Sequence, residues 1–308
     1  MKGLYNKVDK KLLKEYLLRS DGVRITLSFY KYTNIANPVL LRDHLYTLLT
    51  HLDIFGRIYI SSEGVNAQMS IPKENFEAFK NVLDSIDFLQ QVRLNIAVED
   101  DGKSFYVLII KIKDKIVADG LNDYSFDVTK SGTHLTAKEF NELTDKEETI
   151  IVDMRNHYES EVGHFKNAIM PDVETFRESL KEVKTLLENK KERNIIMYCT
   201  GGIRCEKASA YYKHIGFKNV YQLDGGIIEY AREVEKQGLE NKFIGKNFVF
   251  DERLGEKISE DIISKCHQCG KPCDEHTNCI NNSCHILFIQ CLECEENHVT
   301  HHHWEIVH

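Results

Sequence analysis

Asn194-Ile195-Ile196-Met197-Tyr198-Cys199-Thr200-Gly201-Gly202-Ile203-Arg204-Cys205-Glu206-Lys207-Ala208-Ser209-Ala210-Tyr211-Tyr212 decides how the centre of this chain folds. Its first five residues are an apolar burst of strand length. Its last seven follow a helix-forming pattern. The residues between hold two adjacent glycines, so the spacing predicts strand, tight loop and helix in immediate succession. A cysteine that leaves a strand tip and faces a helix N-terminus sits in a nest of backbone N–H groups, at the positive end of a helix dipole. Arg204 adds a full positive charge. Those conditions lower a thiol pKa and produce a reactive thiolate. Cys199 is thus the candidate nucleophile, Thr200, Gly201, Gly202 and Ile203 form its loop, and Arg204 is its cation.

Strands and helices alternate on both sides of this stretch. Residues 149–153 read as a strand, 175–189 as a helix, 206–214 as a helix, 219–223 as a strand and 226–236 as a helix. Such alternation predicts a parallel sheet covered on both faces, with catalytic groups at the carboxyl ends of its strands. Asp153 and Cys199 both fall at such ends, and residues 131–245 are expected to form one α/β domain. Residues 118–130 contain Gly120, Asn122 and Asp123 and read as a linker.

Residues 23–117 read as strand 25–30, helix 39–52, strands 56–60 and 66–71, helix 76–85 and a last strand 104–112. That βαββαβ order is a split-βαβ, ferredoxin-like sandwich of antiparallel sheet and two helices. Residues 1–22 supply a lead-in helix from Asp9 to Arg19, and residues 246–308 form a cysteine-rich C-terminal region.

The totals narrow the class. A chain of 308 residues with 42% hydrophobic and 29% charged residues has room for several independent cores. No apolar run reaches the length of a membrane span. The N-terminal residues lack the apolar core of a signal peptide, so a cytoplasmic location is expected, where thiols stay reduced. The 9 cysteines then point to catalysis and metal binding before disulfides. A net charge of −8 argues against DNA or other nonspecific nucleic-acid binding, although charge is unevenly spread. Lys2 to Arg24 holds seven basic and three acidic residues, whereas 251–308 holds four basic and eleven acidic.

Four residues separate Cys199 from Arg204. Phosphate-binding cysteine enzymes built on the same nest usually use one residue more, because a tetrahedral oxyanion needs a wider ring of donors. The shorter ring suits a single sulfur carried on the cysteine. The loop resembles the active loop of the rhodanese family, in which the cysteine carries a persulfide. Asp153-Met154-Arg155-Asn156, Glu159, Gly163-His164-Phe165-Lys166-Asn167-Ala168-Ile169 and Leu223-Asp224-Gly225-Gly226 resemble that family's flanking signatures. By that resemblance Cys199 is the nucleophile, Arg204 and the loop amides stabilise the anion, and Asp153 with Arg155 is an ordering pair. Cys205 fits either a resolving thiol or a small buried residue on the helix face.

Seven of the nine cysteines lie between Cys266 and Cys294. Cys266-His267-Gln268-Cys269 and Cys291-Leu292-Glu293-Cys294 are two C-x-x-C pairs separated by 21 residues, the pattern of a zinc ribbon in which each pair gives two thiolates. Cys273, Cys279, Cys284, His276 and His285 are further possible ligands, and reduced thiols or disulfides are the alternatives to a metal. His301-His302-His303 carries no assigned role.

Two more phrases extend the resemblance to nearly the whole chain: Ser62-Glu63-Gly64-Val65-Asn66-Ala67 and Cys269-Gly270-Lys271-Pro272-Cys273-Asp274-Glu275-His276-Thr277-Asn278-Cys279. Together with the central loop they resemble the tRNA uridine(34) hydroxylases, which join an acylphosphatase-like N-terminal domain, a rhodanese domain and a cysteine-rich C-terminal region. The resemblance implies hydroxylation of the wobble uridine to 5-hydroxyuridine with molecular oxygen as co-substrate, the tRNA anticodon loop as partner and an electron donor that the residues do not identify. They contain no haem or flavin motif and no convincing two-His-one-carboxylate site. Lys111, Lys113 and Lys115 and the basic lead-in are candidate RNA contacts; an aromatic stacking partner is expected near Cys199, and the adjacent Tyr198 is favoured for core packing by its place in the apolar strand. Two other readings stay open: a sulfurtransferase carrying sulfane sulfur as a Cys199 persulfide, and a zinc-stabilised binding module with an inactive rhodanese domain.

Overall fold

Alternation along Arg24–Tyr32 and Gly64–Pro72 lets one face of an antiparallel pair bury its side chains while the other stays polar. The computed structural model describes residues 4, 10–19, 22–100, 102–121, 125–279, 281, 284 and 286–298. Asp9, Asn122, Asp123, His285 and the three histidines at 301–303 lie outside the described residues. The chain divides into two units, residues 1–131 and 132–308.

The first unit contains α1 (Lys10–Arg19), β1 (Arg24–Tyr32), α2 (Pro38–His51), β2 (Phe55–Ser61), β3 (Gly64–Pro72), α3 (Phe76–Asp84), β4 (Asn95–Ile96) and β5 (Leu108–Ile112). The sheet order is β4-β1-β3-β2-β5. Leu27, Phe29, Ile58, Ile60, Val65, Ala67 and Met69 turn to one face and pack with Leu45 and Leu49 of α2 and Phe79 and Leu83 of α3. Pro38 opens α2, and the Asn37 side chain accepts the Leu40 amide, satisfying a donor that a helix start leaves open.

The split-βαβ expectation holds, with one difference. The strand expected at 104–112 runs only over β5 and pairs parallel to β2 at one edge. The fourth strand of the split-βαβ is instead β4, antiparallel to β1. At two residues β4 is too short to give a period. Segment 104–107 leaves the sheet because Ser104 bonds Thr26 and Phe105 buries against Leu17 and Phe55. Gly64, between the strands expected at 56–60 and 66–71, is the first residue of β3: its φ is +150°, and a Cβ there would lie 2.2 Å from the Lys31 carbonyl of β1.

The second unit contains β6 (Thr133–Leu135), α4 (Ala137–Thr144), β7 (Thr149–Asp153), α5 (His157–Ser160), β8 (Gly163–Phe165), α6 (Phe176–Leu186), β9 (Asn194–Tyr198), α7 (Ile203–His214), β10 (Asn219–Leu223), α8 (Gly226–Gln237), β11 (Phe243–Asn247), β12 (Glu256–Lys257), β13 (His276–Asn278), β14 (Leu287–Ile289) and α9 (Leu292–His298). Strands β6-β10-β9-β7 form the expected parallel sheet. Ile195, Ile196, Met197 and Tyr198 are all buried, because a central parallel strand is covered on both faces. A capping box opens α4, with Thr136 and Glu139 each taking a backbone N–H of the other. Two small antiparallel sheets, β12-β11-β8 and β13-β14, complete the unit; their short strands carry too little periodicity to read from sequence. Among the described residues no helix is long and apolar enough to cross a membrane.

Candidate active site

Asp153 ends β7 and Cys199 follows β9, adjacent strands in register with Asp153 beside Tyr198. Both expected groups therefore stand at the carboxyl ends of adjacent strands of the parallel sheet, where the loops that carry functional groups leave it. After Cys199 the chain reverses through Gly202, which takes a left-handed φ of +97°, so α7 starts three residues earlier than its side-chain pattern suggests. Residues 203–205 become its first turn, whose amides have no partner within the helix.

The loop is held from behind by α8. The amides of Ile227 and Ile228 bond the carbonyls of Cys199 (3.0 Å) and Thr200 (3.2 Å). Those carbonyls point away from the loop centre, which leaves the centre to N–H groups. Gly226 makes this approach possible. A Cβ at that position would lie 2.5 Å from the Cys199 carbonyl oxygen and 2.6 Å from that of Thr200, on a backbone with φ +69°. The Cys199 sulfur accepts the Gly202 amide at 3.2 Å.

Cys199 is 1% exposed. Burial pushes its thiol up, but the Cys205 thiol, the charge of Arg204 and the amides of Cys205 and Gly202 outweigh that and hold it at about 6. Cys205, buried in the first turn of α7, is itself pushed well above the ordinary thiol range by burial and by the neighbouring Cys199. It keeps its proton and donates to Cys199, so the two cysteines have opposite electrostatic roles.

Arg204 does not reach over the sulfur. Its guanidinium forms a two-pronged ion pair with Glu159, Nη1–Oε1 2.6 Å and Nη2–Oε2 2.7 Å, with Glu159 fully buried. Arg204 thus acts on Cys199 as a nearby fixed charge, and Glu159 anchors it. Glu159 also accepts the Asn156 amide at 3.0 Å, capping α5. Asp153 and Arg155 form a second buried pair: Nε–Oδ1 is 2.9 Å and Nη2–Oδ2 2.6 Å. Arg155 also donates to the carbonyls of Glu159 (3.3 Å) and Gly163 (2.6 Å), tying β7, α5 and β8 together beneath the loop. Glu159 was legible only as one letter of a signature, and the α8 amides could not be seen at all, since backbone groups leave no mark in a sequence.

Tyr198 is fully buried, its ring edge-on to Phe165 at 4.7 Å, a core residue as its place in the apolar strand suggests. The Phe250 ring lies 5.8 Å from the Arg204 guanidinium.

Residues 24–116 match the model of the UPF0176 acylphosphatase-like domain, 136–233 that of the rhodanese-like domain and 244–302 that of the rhodanase C-terminal region. The tRNA uridine(34) hydroxylase of Photorhabdus laumondii is 57% identical over 295 residues, 96% of this chain and 84% of that protein. The chain belongs to the tRNA uridine(34) hydroxylase family. Further members are those of Escherichia coli, 54% identical over 97% of this chain and 85% of theirs, and of Yersinia pestis, 55% over 96% and 83%. Among solved structures, a rhodanese-like domain protein from Staphylococcus aureus aligns over 32% of this chain and 90% of its own, with 23% identity and a TM-score of 0.27.

The second candidate site of this family member is the cysteine cluster. Cys266, Cys269, Cys291 and Cys294 place their sulfurs within 4.8 Å of one another. A tetrahedral ion with metal–sulfur bonds of about 2.3 Å separates its ligands by roughly 3.8 Å. Cys269 and Cys291 are 3.7 Å apart, matching that edge and far from the ~2.05 Å of a disulfide. The Cys291 amide donates to the Cys266 sulfur at 3.4 Å, as donors do that stabilise a thiolate ligand. The four residues fit a divalent metal ion. Cys273, Cys279, Cys284 and His276 lie outside the cluster. His276 is buried edge-on to Phe248 at 5.0 Å, and burial lowers its imidazole to about 4, so it stays neutral. His267, between the first two cysteines, bonds Glu161 at 2.7 Å and links the cluster to the end of α5.

Proposed function

We propose that this protein hydroxylates uridine 34 in the anticodon loop of tRNA to 5-hydroxyuridine, in the cytoplasm and without a membrane or DNA partner. The observation that carries the reading is the high identity to tRNA uridine(34) hydroxylases along almost the whole chain, together with an intact Cys199 loop. The balanced reaction takes uridine, molecular oxygen, two electrons and two protons to 5-hydroxyuridine and water. The electrons come from a two-electron donor that the residues do not identify. In this reading Cys199 is the catalytic group, ionised at neutral pH; the loop amides and Cys205 stabilise negative charge on sulfur; Arg204 supplies the field; and Asp153, Arg155 and Glu159 hold the frame. Cys266, Cys269, Cys291 and Cys294 would hold a structural zinc ion, closing a module too small to be stable on its apolar core alone.

The test is nucleoside mass spectrometry of tRNA from cells carrying the wild-type or the Cys199→Ser protein, grown under isotopically heavy oxygen. Heavy label in 5-hydroxyuridine derivatives, lost in the variant, is expected; identical profiles would sink the reading. The short four-residue ring, suited to one extra sulfur, supports a second reading as a sulfurtransferase. Thiocyanate formation from thiosulfate and cyanide, with tRNA nucleosides unchanged, would favour it.

A further inference from the structure

Among the described residues of the first unit, one sheet face has no helix packed on part of it. Along β1, β2, β3 and β5, alternate residues turn inward to α2 and α3, and the intervening ones turn outward. At one end of the outward face Phe105 and Leu17 of α1 cover Phe55, and Arg24 and Thr26 are buried. Towards the other end, Tyr30, Tyr59, Asn66 and Gln68 are only half-buried, and Lys111 is exposed. Cross-strand register sets Tyr30 opposite Asn66, Asn66 opposite Tyr59, and Tyr59 opposite Lys111, a continuous row across four strands. Tyr32 adds a ring beside Tyr30, centroids 6.1 Å apart. The exposed Lys113 places its ammonium 5.5 Å from the Tyr59 ring.

We propose that this row binds single-stranded nucleotides of tRNA, the tyrosines stacking on bases and the basic side chains meeting phosphates. Three features select that occupant. Half-exposed tyrosines on a rigid sheet are stacking platforms, and every base offers a flat face. Asn66 lies between them and Gln68 stands one outward position along the same strand, opposite Ser28 and Arg57, with donors and acceptors for base edges. Charge is the third: no carboxylate stands at any outward position of β1, β2, β3 or β5, although the chain carries a net charge of −8, and Arg57 and Lys111 are outward cations. Lys115, one of the lysines expected to meet RNA, is not part of the surface; it is held by Asp119 (2.6 Å) and the Leu121 carbonyl (2.7 Å).

The inference rests on tRNA being the substrate, and the test separates the two. Binding of a dye-labelled, unmodified tRNA transcript to the full chain is measured by anisotropy over a range of salt. Tyr30→Ala and Tyr59→Ala are each expected to lose roughly 5- to 150-fold in affinity, while Tyr59→Phe, which keeps the ring, stays within a few fold of wild type. Lys111→Ala and Lys113→Ala, at exposed positions, should each reduce the slope of log affinity against log salt by about 0.7. Melting curves establish that the variants are folded. A wild-type chain that binds no tRNA overturns the hydroxylase reading and this inference with it. Wild-type binding that the tyrosine and lysine variants all retain overturns this inference alone, and makes the face a contact for something other than RNA.

Discussion

Glu159→Gln tests the electrostatic frame of the Cys199 loop most directly. Glu159 is fully buried and accepts both terminal nitrogens of Arg204, at 2.6 and 2.7 Å, along with the Asn156 amide. Glutamine keeps the volume but removes the charge and turns an NH2 group towards the guanidinium. Leaving one member of a buried ion pair uncompensated costs about 3–5 kcal/mol. For a unit of this size that lowers the melting temperature by roughly 6–20 °C. Arg204→Gln should cost a similar amount, because it strands the carboxylate instead. In the double variant two neutral amides face each other, so most of the loss is recovered and the cycle shows a coupling of about 2 kcal/mol or more.

The thiol supplies an independent sign. The Arg204 charge helps to hold Cys199 at about 6, and Glu159 offsets part of that charge. Removing Glu159 should therefore move the thiol further down, whereas removing Arg204 should move it up. Thermal melts give the first quantity, and ultraviolet absorbance of the thiolate against pH gives the second. Stability losses that simply add, or thiol shifts of the same sign in both single variants, would refute this account of the site.

Three other expectations follow from the same geometry. Gly226→Ala, which forces a Cβ to within 2.5 Å of a loop carbonyl, should abolish 5-hydroxyuridine formation and lower the melting temperature, whereas Gly238→Ala, also at positive φ but with open space around it, should cost only about 1 kcal/mol; equal effects would contradict the close approach of α8. The folded Cys199 value of about 6 lies below that of an ordinary thiol, so its thiolate adds stability above the ordinary range, and the gain is lost as pH falls through about 6. Alkylation of Cys199 by a small haloacetamide should show the same inflection, and Cys205→Ala should move it to higher pH; an unmoved profile would remove Cys205 from that role. The purified chain should hold one zinc ion, lost in Cys269→Ser with a fall in melting temperature; unchanged metal content would rule out the four-cysteine site.

Much of this protein was legible in its residues because the signals are local. The apolar run 194–198, the paired glycines and the helix formers after them require only neighbours along the chain, and they led to the parallel sheet and to Cys199 at a strand tip. The two C-x-x-C pairs were likewise visible, because a tetrahedral site takes its ligands in short local steps. The two-residue β4 was not: it exists only because β1 offers it an edge, and its own sequence has no period to read.

By itself the sequence determined which residue types are available: the nucleophile, its cations, the glycines that let backbone segments approach, and the alternation that makes one sheet face polar. Tertiary structure alone decided how those groups pair. It assigned Arg204 to Glu159, 45 positions away, and set Cys205 to donate to Cys199. It aimed the α8 amides at the loop carbonyls and aligned Tyr30, Asn66, Tyr59 and Lys111 across four strands. The physical reason is the range of the interactions. Propensity and periodicity act over a few residues of chain, whereas charge pairing, burial and backbone hydrogen bonding act through space, between segments that only the completed fold brings together.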